Sequence, residues 1–108
     1  MTLLQQRDQA RRRRRLEVYA ETRERLREAL AQLIPGQKVI VFGSLTKPGV
    51  FNDRSDVDLA LEMEPARMNS WSLASELTER LKRPVDVVLL DRCRFRAKIV
   101  REGEPWIA

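Results

Sequence analysis

Apolar residues recur along this chain on two different periods, and the places where the period changes divide it into elements. Leu16, Tyr19, Leu26, Leu30, Leu33 and Ile34 follow the three-to-four spacing of a helix face that stops at Pro35-Gly36. Thr2 and Gln5 have the spacing of a capping box, so this helix is expected over about residues 1–34, with a first half that lacks an apolar stripe and frays. Lys38 to Phe42 (KVIVF) is a β-branched run closed by Gly43, and Asp56 to Met63 alternates acidic or small residues with Val57, Leu59 and Leu61. Both read as strands. Pro48, Gly49, Asn52 and Asp53 mark the loop between them, with room for a helical turn just after Ser44. Helical spacing returns from Pro65 to Lys82 through Met68, Trp71, Ala74, Leu77 and Leu81, widened by Leu73 and ended by Pro84. Val85 to Leu90 predicts a third strand. Asp91 is then placed to cap a last helix through about Glu102, with Phe95, Ile99 and Val100 inward, before Gly103 and an extended Pro105-Trp106-Ile107.

The resulting order, α-β-β-α-β-α-β, is that of an α/β (α+β) protein with helices packed on a sheet and a crossover through the long middle helix. At 108 residues, one domain spanning 1–108 is expected. No apolar run approaches ~20 residues and the stretch after the arginines is too polar for a secretory signal, so a cytoplasmic protein with no membrane contact is expected. Cys93 is the one cysteine, which rules out an intramolecular disulfide and reads as a core thiol. No histidine is present. Triads and nucleophile pairs that depend on imidazole are therefore excluded, and proton transfer falls to carboxylates. The net charge of +5 is concentrated at the front: residues 1–35 carry nine Arg against five Asp and Glu, leaving twelve basic and eleven acidic residues for the remainder.

Candidate chemistry lies in the segment FGSLTKPGVFNDRSDVDLAL, Phe42 to Leu61. Alternation along a strand puts Asp56 and Asp58 on one face, about 6 to 7 Å apart. Asp86 sits in a strand that looks apolar on both sides and is expected to be covered by helices on both, so its carboxylate needs a partner. Lys or Arg could supply the charge, but carboxylates clustered without nitrogen or sulfur ligands suit a hard divalent ion, best Mg²⁺, with Mn²⁺ also possible. Since Mg²⁺ shares its octahedron with phosphates, a phosphate-bearing ligand follows. Gly43 and Ser44 end the first strand where backbone can approach such a phosphate closely. The P-loop spacing and the EF-hand pattern are both absent.

A strand, Gly43-Ser44, eleven residues, Asp56-x-Asp58, a helix and Asp86 in a later strand together resemble the DNA polymerase β-type nucleotidyltransferase superfamily. The resemblance runs from about Val39 to the C-terminus, and the short length is similar to the minimal nucleotidyltransferases. It implies a polymerase β-like palm, a small mixed sheet with helices packed on it, as catalytic core over about 38–108. It further implies that Asp56, Asp58 and Asp86 form the catalytic, metal-binding set and that Gly43 and Ser44 hold the triphosphate of ATP or another NTP. Relatives place a basic residue soon after Gly-Ser, where this chain has Leu45 and Thr46; Lys47 or Arg54 is the substitute. Members often act as antitoxin to a HEPN-domain toxin, in some cases by transferring AMP from ATP to a tyrosine of the toxin. So short a chain must find its acceptor surface elsewhere, in a partner chain or a homodimer.

Two other readings compete. One is a non-catalytic binding module that neutralises a partner by contact. The other is a nucleic-acid-binding protein that uses Arg11 to Arg15, although these guanidinium groups ring the helix without interleaved aromatics and read first as a solvated arm. Arg92, Arg94, Arg96 and Lys98 read as an outer helix face from which one residue could reach the site. Trp71 and Trp106 read as core or interface residues.

Overall fold

The computed structural model describes residues 1–108. Helix α1, Leu3–Leu33, begins at the capping box: Gln5 N–H donates to Thr2 Oγ1 (3.2 Å) and Thr2 N–H to Gln5 Oε1 (2.9 Å). Contrary to the fraying expected of its first half, the helix is continuous from Leu3, although every side chain up to Arg14 is exposed. Two guanidinium groups tie that half to the body. Arg14 Nη2 lies 3.0 Å from Asp53 Oδ1, and Arg15 Nε donates to Gly49 O at 2.7 Å. The buried stripe then follows Val18, Thr22, Leu26, Ala29 and Leu30, while Leu16 is exposed.

Strands β1 (Lys38–Phe42), β2 (Val57–Leu61), β3 (Val85–Leu89) and β4 (Glu104–Ile107) form one mixed sheet in the order β3-β2-β1-β4. β1 runs antiparallel to both β2 and β4, and β2 runs parallel to β3. The parallel pair requires a crossover, supplied by helix α2, Ser70–Leu81. This helix starts later than its apolar spacing suggests. Asn69 caps it, accepting from Ser72 N–H at 2.8 Å, and the preceding Pro65 to Met68 stay outside it. Its C-terminus turns at Lys82, which adopts φ 58° without being glycine, and so delivers the chain through Pro84 into β3.

The two faces of the sheet differ in cover. Val39, Val41, Val57, Leu59 and Leu61 pack against Leu26 and Leu30 of α1 and Leu73, Leu77 and Leu81 of α2 in the main core. Each such side chain contributes about 1.5–3 kcal/mol by leaving water. The opposite face carries only a small cluster of Ile40, Ala60, Leu90 and Ile99, the last from the short helix α3, Arg96–Glu102. On this face β3 is covered at Val88 but not at Asp86, contrary to the expected cover on both sides. Asp91 does not cap α3 either: Leu90–Arg92 form a 3₁₀ turn, and α3 begins after Phe95 without a side-chain cap. Phe95 and Val100, expected inward, are exposed at 63% and 53%. Gly103 follows α3 because a Cβ there would collide with Ile40 Cγ2 and the Ile99 carbonyl.

Trp106 is buried, with Arg27 stacked 4.4 Å and Arg23 5.1 Å from its ring centre. Arg23 also pairs with Glu104, which in turn accepts from Trp106 Nε1. Trp71, by contrast, is 86% exposed. No helix is long and apolar enough to cross a membrane.

Candidate active site

Strand register creates the site. Phe42 pairs with Asp58 on β2, and Asp58 with Asp86 on β3, so these three residues form one row across the sheet. α3 covers the neighbouring row, Ile40 and Ala60, and leaves the Asp58 row beside an open cavity of about 820 Å³. Asp58 is half-buried and Asp86 exposed, both on the cavity wall. α2 covers the Val85 and Val87 face of β3, while on the other face α3 reaches Val88 and leaves Asp86 open.

Gly43 opens a 3₁₀ turn, Gly43–Thr46, directly after β1. Its φ of +74° is a conformation that costs an L-residue roughly 1–2 kcal/mol, and a Cβ there would strike the Asp58 carboxylate. Glycine is thus required twice over: once by the turn and once by the acid behind it. Lys47 N–H donates to Ser44 O (3.0 Å) and Thr46 Oγ1 to Gly43 O (2.7 Å), which brace the turn. Gly43, Thr46 and Lys47 reach the cavity wall; Ser44 is half-buried in the turn and does not line it.

The loop between the turn and β2 is fixed from two sides. Arg14 and Arg15 hold it from α1 at Asp53 and Gly49. Arg83 donates to the carbonyls of Asn52 (3.0 Å) and Ser55 (2.9 Å) while lying 4.8 Å from the ring centre of the fully buried Phe51. Arg14 holds the Asp53 carboxyl below the usual carboxylate range through their hydrogen bond. Such bracing sets where Lys47 and Asp56 emerge at the two ends of the loop.

Electrostatics mark Asp58. Burial, and then the nearby charges of Asp86 and Asp56, push its pKa up from the ordinary value. No Lys or Arg lies within 4 Å of any of these three carboxylates, so none of them is ion-paired. Asp56 precedes β2 and is exposed, away from the cavity wall, and no group of three His, Cys, Asp or Glu side chains is gathered closely enough to form a complete metal cage. The donor set nonetheless fits a hard divalent cation. Two carboxylates on adjacent strands, not ion-paired and open to a ligand cavity, are what Mg²⁺ takes when substrate phosphates and water complete its shell.

Of the two candidate basic substitutes, Lys47 lines the cavity and Arg54 does not. Of the alternating basic residues near α3, Lys98 alone lines it. Sequence reasoning missed Thr46, Phe95, Cys93 and Glu102, which also form the wall. The available signal was the spacing Phe95, Lys98, Ile99, Glu102, an i, i+3, i+4, i+7 face of a helix, obscured because Phe95 was assigned to the core. Cys93 is half-buried at the wall, where it packs against the Ile40, Ala60, Leu90 and Ile99 cluster.

Comparison with known proteins bears on the family and the fold. The family described as Polymerase beta, Nucleotidyltransferase matches residues 24–107. Among solved structures, a crystal structure of a toxin-antitoxin with AMP-PNP is similar at a TM-score of 0.59 and 26% identity, covering 79% of this chain and 73% of that one. A crystal structure of the toxin-antitoxin MntA-HepT is similar at a TM-score of 0.55 and 24% identity, covering 82% and 73%, and bears on the fold alone. Curated proteins give no match.

Proposed function

This chain belongs to the polymerase beta nucleotidyltransferase family, and from that premise we propose that it transfers AMP from ATP, with Mg²⁺, to a hydroxyl of a HEPN-type toxin and so acts as its antitoxin. The observation that carries the reading is the Asp58–Asp86 pair, side by side on β2 and β3 without an ion-pair partner, in a cavity whose wall also includes Gly43 and Lys47. Similarity to a toxin-antitoxin that was crystallised with AMP-PNP supports both the nucleotide and the partner. A single domain, working in the cytoplasm on a partner's surface, completes the proposal.

Asp58 and Asp86 would hold the cation, with Asp56, just before β2, as the third acid of the proposed set. When bound, the cation neutralises phosphate charge and lowers the pKa of the acceptor hydroxyl. Gly43, with Ser44 behind it in the same turn, would present backbone to the triphosphate, and Lys47 would balance its charge. The acceptor oxygen forms a bond to the α-phosphorus as the bond to pyrophosphate breaks, and Asp86 serves as ligand or takes the hydroxyl proton. Transfer of label from α-labelled ATP to a co-expressed toxin tests this. Asp58→Asn is expected to lower labelling at least about 100-fold, the scale seen when one charge-stabilising group is lost; undiminished labelling would overturn the mechanism.

Asp56, standing apart from the cavity wall, favours a second reading in which the chain neutralises its partner by contact alone. Full neutralisation by the Asp56→Asn/Asp58→Asn double variant would establish it in place of catalysis.

A further inference from the structure

Phe95 is an aromatic residue left out of both hydrophobic clusters. It precedes α3 without capping it by side chain, and the residue is 63% exposed, yet it forms part of the cavity wall. Its backbone is anchored, since Phe95 N–H donates to Cys93 Sγ at 3.4 Å. Beside it, Val88 of β3 and Ile99 of α3 provide an apolar floor within the same cavity. Lys98 and Glu102 stand on this face of α3 and are not ion-paired with each other, so both charged heads remain free to meet a ligand. The cavity thus has the Phe42–Asp58–Asp86 row and Lys47 on its sheet side, and Phe95 with Lys98 and Glu102 on its α3 side. At about 820 Å³ it is in the size range of sites that enclose a ligand as large as a nucleotide.

We propose that the cavity-facing side of α3 is the base subsite: the nucleobase stacks on Phe95 over Val88 and Ile99 while the triphosphate lies toward Asp58 and Asp86. This inference rests on the nucleotidyltransferase reading and adds to it the group that holds the nucleoside. Stacking on one aromatic ring tolerates any base, so Phe95 supplies affinity for nucleoside over bare phosphate more than choice among bases.

Calorimetric titration in Mg²⁺ of the wild-type chain and of Phe95→Ala, each with a non-hydrolysable ATP analogue and with inorganic tripolyphosphate, separates the two ideas. Because the residue is exposed, the variant is expected to fold with an unchanged melting temperature. Its affinity for the nucleotide should fall about tenfold, the loss expected of one stacked base, while tripolyphosphate affinity stays the same and Phe95→Trp restores nucleotide binding. Equal losses for both ligands, or none for the nucleotide, would overturn the base subsite and leave the phosphate site standing. A wild-type chain that binds neither ligand overturns the nucleotidyltransferase reading as well.

Discussion

The Asp58 carboxylate occupies the space that a Cβ on Gly43 would need. The Gly43 turn and Asp58 are consequently built as one unit. Gly43→Ala adds backbone strain at φ +74° to a collision with Asp58. Its expected cost is about 1–2 kcal/mol, which lowers the melting temperature by roughly 5 °C or more. Nucleotide transfer should fall further than stability, because the displaced group is the acid itself. Thermal denaturation alongside the labelling assay checks both.

Asp58 also predicts an unusual dependence of stability on pH. With its folded pKa raised by burial and by Asp86 and Asp56, the folded chain keeps a proton that the unfolded chain has already released. Its contribution to stability is therefore complete below the ordinary aspartate range and is lost as pH rises through the folded value. In metal-free buffer, Asp58→Asn should melt at the same temperature as wild type at acidic pH and higher than wild type at neutral pH. A variant that is less stable at neutral pH would contradict the assignment.

Carboxylates without an ion-pair partner predict a response to metal. Mg²⁺ that binds only the folded chain stabilises it by about 2.7 kcal/mol at a hundredfold excess over Kd. Scanning fluorimetry should show the wild-type transition rising with Mg²⁺, with little or no rise for Asp58→Asn and a reduced one for Asp86→Asn.

The N-terminal half of α1 offers a separable test. No side chain before Val18 is buried there, so its first turns depend on the Thr2–Gln5 box and on the Arg14 and Arg15 contacts. Thr2→Ala removes a cap with a typical value of about 1 kcal/mol. Hydrogen exchange should accelerate over the first turns of α1, with the melting temperature of the body unchanged.

How much of this was legible in the sequence depended on whether a signal was local. KVIVF predicted β1 to the residue, because its β-branched run ends at a glycine that the turn requires. The Thr2 box was equally local. Strand alternation nominated Asp56 and Asp58, and an apolar setting nominated Asp86, but the adjacency of Asp58 and Asp86 comes from the parallel register of β2 and β3, which the spacing alone does not contain. Errors clustered around α3. Asp91 resembled a cap and Phe95 a core residue, whereas the chain makes a 3₁₀ turn there and swings Phe95 toward the cavity. Likewise, Leu16 fits the helical period and Val18 is the residue that is buried, since the sheet's position and not hydropathy decides which face of α1 is covered.

β4 lies at the margin of the sheet and contains Pro105, paired with Ile40 of β1. A proline in a border strand must direct its missing N–H outward, so that margin lacks a donor in a strand of only four residues. Another polypeptide would find a poor template for ribbon growth there. The fold thereby carries its own safeguard against fibrous self-association, at the side of the sheet away from β3.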